Sequence, residues 1–231
     1  MNYIIWNNKD SRDIKGLIIS ELPPITKPNM RVKETVIDGV DGSIIEELGY
    51  ESYDKTMIIG LTAGANLDEV MGYFMGSGEV VFSNEPERYY IARIIRGIDY
   101  QRFLRYRVAS VTFRVQPFKY DRVEVVREET GRTSMIVENR GNVNAKPLIT
   151  ITGSGTVELK VNSDIPICTY TFPSTDTSVV LDCEKQDAYL GGVLKNRHMT
   201  GEFPVLPKGN NTLSWSGNVT KIQISKHNRW V

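Results

Sequence analysis

Cysteine and histidine are scarce, two of each in 231 residues. Cys168 and Cys183 allow one disulfide at most, so a disulfide-stapled scaffold is excluded and a reducing compartment is expected. His198 and His227 fit no zinc spacing with those cysteines. Long apolar runs are also missing. Stretches such as Met57-Ile58-Ile59 fall far below the roughly 18 residues that cross a bilayer. The opening residues MNYIIWNNKD have no basic start and no long apolar stretch, so a secretion signal is not expected. Net charge is absent as well, with 28 Lys+Arg against 28 Asp+Glu. A whole-chain attraction to nucleic acid or to an anionic membrane is therefore not expected.

What is present suits a folded, soluble protein: 40% hydrophobic and 24% charged residues. The length fits one large domain or two small ones. β-Forming residues in short alternation dominate, punctuated by turn residues, which argues for sandwiches or barrels. Strands are expected over 2–6, 15–20, 30–38, 55–62, 79–83 and 88–96. A single helix is expected from Leu67, capped by Asn66 and carrying Asp68 and Glu69 in its first turn. Leu67, Val70, Met71 and Phe74 give it one apolar face, and Gly76 and Gly78 end it.

Residues 98–118 read as one long strand with a defect. Leu104, Tyr106 and Val108 share one parity while Val111, Phe113 and Val115 share the other, so a bulge is expected near Ala109-Ser110. The charged, core-poor segment 121–132 reads as a connection, with the domain boundary near residue 130. Beyond it, strands are expected over 134–138, 147–152, 156–161, 168–172, 178–182, 212–216 and 220–225, with a turn at Gly153-Ser154-Gly155. No helix is expected there. Residues 131–231 are thus expected to form an all-β sandwich.

Charge is segregated. Residues 1–87 hold seven Lys/Arg and fifteen Asp/Glu, whereas residues 88–122 hold nine Lys/Arg and two Asp. Such halves can pair within one domain or meet head to tail between copies, the internal pairing being the simpler reading.

Chemistry is hard to find. Asp38-Gly39-Val40-Asp41-Gly42 begins like a calcium loop but lacks the later ligands, and reads as a hairpin turn. Gly39, Gly42 and Gly49 form no phosphate loop, and no GxSxG accompanies the histidines. Cys183 reads as a small buried strand residue. Paired carboxylates for glycoside hydrolysis need no motif, but 28 acidic residues offer many accidental pairs. An enzyme is not expected, nor any cofactor or metal. The arginines between Arg88 and Arg114 interleave with Tyr89, Tyr90, Tyr100, Phe103 and Tyr106, which could stack bases, or simply form the solvated face of a strand. In the second domain Trp215 alternates with Leu213 and reads as core, leaving Tyr189 and Trp230 as candidates for stacking a sugar.

Several segments carry a resemblance. They are Gly16-Leu17-Ile18-Ile19, then Ile37-Asp38-Gly39-Val40-Asp41-Gly42-Ser43-Ile44, then Val108 to Tyr120 (VASVTFRVQPFKY). Further on come Val137 to Gly155 (VENRGNVNAKPLITITGSG), Gly201 to Leu213 (GEFPVLPKGNNTL) and Arg229-Trp230. Their order and spacing resemble the distal tail proteins (Dit) of long, flexible-tailed bacteriophages of Gram-positive hosts. Where many relatives carry a cysteine before Pro-Phe, this chain has Val115-Gln116 before Pro117, a departure that touches packing only.

The resemblance implies a tail-tube-like domain over 1–130 with one helix and a hairpin arm, and a galectin-like sandwich over 131–231. It implies a homohexameric ring, single or stacked, at the virion tail tip, assembled in the host cytoplasm. The implied partners are the tail tube protein, the tail-associated fibre or lysin hub protein and receptor-binding proteins, with DNA passing through the ring. The arm is expected over 31–53, where Val40, Ile44, Ile45 and Leu48 sit in an acidic hairpin and need a partner to bury them. The alternative is host-glycan binding by the sandwich, with Trp230 as the contact.

Overall fold

A computed structural model describes residues 1–39, 41–98 and 100–231, with the backbone alone for 100–102. Contacts divide the chain into two compact units, Met1–Arg122 with Val231, and Val123–Trp230. Both are mainly β.

In the first unit the strands are β1 (Ile4–Trp6), β2 (Lys9–Asp10), β3 (Leu17–Glu21), β4 (Met30–Val36), β5 (Ser43–Tyr50), β6 (Tyr53–Leu61), β7 (Ser77–Phe82), β8 (Arg88–Ile94) and β9 (Val108–Asp121). Seven of them form an antiparallel sheet in the order β2-β1-β7-β8-β9-β6-β3. Alternation sends Met57 and Ile59 of β6, Phe82 of β7, Tyr90 of β8 and Phe113 of β9 to one buried face. Phe113 is the hub, with Trp6 and Phe82 edge-on to it at 5.3 and 5.7 Å.

The expected helix is α1 (Leu67–Tyr73), and the Asn66 side chain accepts from the backbone N–H groups of Asp68 and Glu69. Val70 and Phe74 are buried in the same core. A second helix, α2 (Tyr100–Tyr106), replaces the first part of the long strand expected over 98–118. Phe103 is its buried anchor, while Leu104 and Tyr106 stay exposed. The chain leaves α2 through Arg107 at φ 54° and enters β9 at once. The change of parity is thus a change of element, and no bulge lies at Ala109-Ser110, where β9 pairs evenly with β6. The irregularity of β9 falls instead opposite Tyr90 to Ala92 of β8, next to Pro117, which has no N–H to give to a ladder.

The second unit contains β10 (Arg127–Thr130), β11 (Ser134–Asn139), β12 (Leu148–Val161), β13 (Cys168–Thr171), β14 (Ser178–Asp182), β15 (Asp187–Leu190), β16 (Val193–Leu194), β17 (Met199–Gly201) and β18 (Gly209–Ser225). β10 lies inside the segment read from sequence as a connection and pairs with the end of β18. Its charged side chains obscured it, since only one residue of the four is even partly buried.

Two strands organise this unit. β12 and β18 pair along nearly their whole length, Ile151 opposite Ile222 at one end and Leu159 opposite Trp215 at the other. Between those stretches the register shifts at Thr152/Gly153 and at Ser154/Glu158. The first stretch extends outward through β14, β15 and β16, the second through β13 and β17. Strands that bend at a bulge can serve two layers, and both stretches here feed one apolar core. The expected pairs of strands, 147–152 with 156–161 and 212–216 with 220–225, are therefore two continuous strands, and Gly153-Ser154-Gly155 lies within β12 rather than in a turn.

Glycine makes the crossing close. A Cβ on Gly153 would stand 2.3 Å from the Asn218 carbonyl oxygen, and one on Gly217 (φ 92°) 2.2 Å from that of Thr156. Cys168 and Cys183 are free and buried. Burial pushes the Cys168 thiol up to about 12 and the Cys183 thiol higher still, so neither is poised as a nucleophile.

Candidate self-assembly surface

β4 and β5 bond to each other and to no other strand among the described residues. Their hairpin spans the expected arm. Gly39 and Gly42, at φ 83° and 89°, supply the left-handed turn at its tip. Val40 lies outside the described residues. Ile44, Ile45 and Leu48 are 59%, 62% and 48% exposed, and Val32 and Val36 add two more open apolar side chains. An isolated two-stranded ribbon is marginal in water, so such side chains call for a covering surface.

The segment that leads into the hairpin is held by side chains rather than by a ladder. Residues 22–29 (LPPITKPN) contain three prolines, which remove backbone donors and leave carbonyl oxygens to be satisfied. Lys55 Nζ donates to the Pro24 oxygen at 2.8 Å and Asn84 Nδ2 to the Pro23 oxygen at 3.0 Å. The Glu51 N–H then donates to the Asn29 oxygen at 2.8 Å, closing the base of the hairpin.

Lys55 is 2% exposed. Its ammonium lies 4.9 Å from the centre of the Tyr90 ring and 5.8 Å from those of Tyr53 and Phe82. Burial drives its pKa down to about 8, against the pull of Glu85. Glu85 itself pairs with Lys119 and accepts from the Tyr90 hydroxyl.

The acidic and basic stretches meet here within one unit. Besides Glu85 with Lys119, Asp54 pairs with Arg96 at 2.9 Å and with Arg114 at 3.1 Å. Arg88 pairs with Asp121 inside the basic stretch itself. The arginine–aromatic row does not form a single face. Tyr90 and Phe103 are core, and Tyr89 stacks on Tyr120 at 5.4 Å. Tyr90 and Phe103 are thereby withdrawn from the base-stacking reading, while Tyr106 stays exposed.

In the second unit Trp215 is buried as expected, beside Leu213. Tyr189 and Trp230 are half-buried. Arg229, next to Trp230, is buried, donates to the Asn144 oxygen at 2.6 and 3.0 Å and approaches Glu184 at 3.5 Å. The structure brings Trp230 and Tyr189 into no common pocket that it describes. Sequence reading also missed Asn139 and Asn211, both fully buried. Asn139 donates to the oxygens of Val143 and Leu206, and Asn211 to those of Pro207 and Gly209. Among the described residues no cluster of three or more His, Cys, Asp or Glu could hold a metal ion.

With both units and the free hairpin in view, the comparison with solved structures is decisive for the fold. The crystal structure of the SPP1 Dit protein matches with a TM-score of 0.69 and 16% identity, covering 98% of this chain and 99% of that one. The fold is similar to that of SPP1 Dit. That protein is described as a paradigm of the hub adsorption apparatus in phages infecting Gram-positive hosts. No protein-family model matches the sequence, and no curated protein matches it. The likeness to SPP1 Dit therefore lives in the backbone, at an identity too low to transfer individual side chains.

Proposed function

We propose that this protein is a structural component of a phage tail tip, a non-catalytic hub ring that joins the tail tube to the fibre or lysin hub protein. The observation that carries this reading is the end-to-end likeness of fold to SPP1 Dit, in which neither chain leaves a domain unmatched. The hairpin supports it from the other direction, since a head-to-tail contact is what closes a ring and the hairpin offers one half of such a contact. In this reading the protein assembles in the host cytoplasm as a hexamer, receptor-binding proteins attach around it, and the genome passes along its axis. The first unit, with the hairpin, forms the ring.

Immunogold electron microscopy on virions of the phage that encodes it tests the reading. Label confined to the distal end of the tail is the expected result; label on the head, along the tube or absent from the particle overturns it. Negative-stain images of the purified protein at high concentration test the ring directly, with six-fold particles expected.

A further inference from the structure

Two irregularities of the first unit border one cleft. In the hairpin, Arg31 pairs with Gly49 and Val32 with Glu47, which leaves Leu48 as the extra residue of a bulge, and Gly49 at φ 95° takes the bend. In β9, Gln116, Pro117 and Phe118 together oppose the single residue Ile91 of β8. Between the two lies a cleft of about 460 Å³, walled by Arg31, Tyr50, Glu51 and Ser52 on the hairpin side and by Arg114, Gln116 and Pro117 on the sheet side. Tyr50 meets Phe118 edge-on at 5.8 Å, which joins the two bulged segments.

Bulges re-aim side chains, and these two gather arginines. Arg31 Nη2 donates to the oxygen of Leu48, the extra residue, at 3.1 Å. Arg114 Nε donates to the Ser52 hydroxyl at 3.1 Å, while Arg114 and Arg96 share the carboxylate of Asp54. The ladder sets Arg93 of β8 on one side of Arg114 and Asp54 of β6 on the other, all on the face away from Phe113. Like charges directly opposite destabilise a sheet, so the Arg93–Arg114 pair calls for a counter-charge. Among the described residues no ion pair engages Arg31 or Arg93. Four arginines thus stand against Asp54 and Glu51, and Lys27 adds a further cation 5.9 Å from the centre of the Tyr50 ring.

We infer that the cleft binds a phosphate-type dianion, gripped between Arg31 of the hairpin and Arg114 of the sheet, with Ser52 and Gln116 as neutral partners. Guanidinium forks match such oxyanions with parallel N–H bonds, and a dianion balances the surplus of positive charge. Glu51 is the one carboxylate on the wall and is outnumbered. The bound ion ties β4 to β9 and so fixes the hairpin on its parent unit. This site does not rest on the ring reading.

Calorimetric titration of the full chain with inorganic phosphate, at an ionic strength held constant with sodium chloride, tests it. Saturable binding of one ion per chain is expected, with deuterium uptake over residues 30–51 slowed at least threefold. Arg31→Gln, an exposed position, should weaken binding at least tenfold with an unchanged circular dichroism spectrum. Arg93→Gln, which acts through charge alone, should weaken it about threefold. Arg114→Gln also releases Asp54, so Arg31→Gln is the deciding variant. Glycerol 3-phosphate binding within threefold of inorganic phosphate assigns the cleft to a phosphate carried as a monoester, and binding of inorganic phosphate alone assigns it to the free ion. Absence of saturable heat overturns the proposal, as does binding that Arg31→Gln leaves unaltered, or slowed exchange that chloride reproduces at the same ionic strength. Displacement of phosphate by sub-micromolar duplex DNA also overturns it, since the cleft is then a nucleic-acid contact.

Discussion

Lys55 and Pro24 form the contact on which the hairpin root depends: a fully buried ammonium donates, at 2.8 Å, to a carbonyl in a segment that cannot join a sheet. A lysine is a costly way to satisfy one carbonyl. Its length explains the choice, because the head reaches across from β6 to the Pro24 oxygen while its charge lies 4.9 Å from the centre of the Tyr90 ring.

That contact has a pH signature. Burial lowers the Lys55 pKa to about 8 from 10.5, so between those values the folded protein binds fewer protons than the unfolded chain. Stability due to this group therefore rises with pH, starting near 8. Relative to Lys55→Met, the wild-type chain should gain about 2 kcal/mol between pH 7 and pH 9.5. Urea titrations of both proteins at each pH measure it, and the subtraction cancels the tyrosines and thiols common to both. A difference independent of pH would sink the assignment.

Gly217→Ala tests the close crossing of β12 and β18. The new Cβ would collide with the Thr156 carbonyl oxygen in a backbone conformation that already disfavours it, so a loss of about 3 kcal/mol or more is expected. Gly192→Ala, equally left-handed at φ 82° but open around its Cβ position, should cost only about 1 kcal/mol. Equal losses would mean that conformation, not the collision, decides.

Asn66→Ala removes the side chain that caps two N–H groups of α1. A loss of about 1 kcal/mol is expected from chemical denaturation. Asn66→Asp should keep the cap, and an equal loss for both variants would contradict it.

DNA passage through a ring demands a wall that does not hold the duplex. Asp54, shared by Arg96 and Arg114, and Glu85, paired with Lys119, set carboxylates of the acidic stretch against the basic one within the same unit. No retardation of double-stranded DNA is expected in a gel shift at physiological salt. Sub-micromolar, salt-sensitive binding would contradict the neutral wall.

α1 and strands such as β3, β6, β7, β8, β11 and β14 were legible because alternation and a capped apolar face are local signals, whereas β10 and the short β15, β16 and β17 were not. α2 was not, because Phe103 is its one buried described side chain and a single anchor has no period. The continuity of β12 and β18 was hidden by glycines, which mark a turn and a close crossing equally well in sequence. The hairpin was legible from Ile44, Ile45 and Leu48 set among carboxylates. Its root was not: Lys55 and Asn84 act on carbonyls 31 and 61 residues away, and no local pattern announces such a partner.

The sharing of β12 and β18 between both layers of the second unit sets how that unit can open. β12 and β18 run through both stretches of the nine-stranded sheet, so detaching one stretch strips the ladder from the other. Amides of Ile151 and Leu159, at opposite ends of β12, should exchange with deuterium through the same global event rather than through separate local ones. A module built this way should yield all at once, leaving a protease no half-open intermediate to cut.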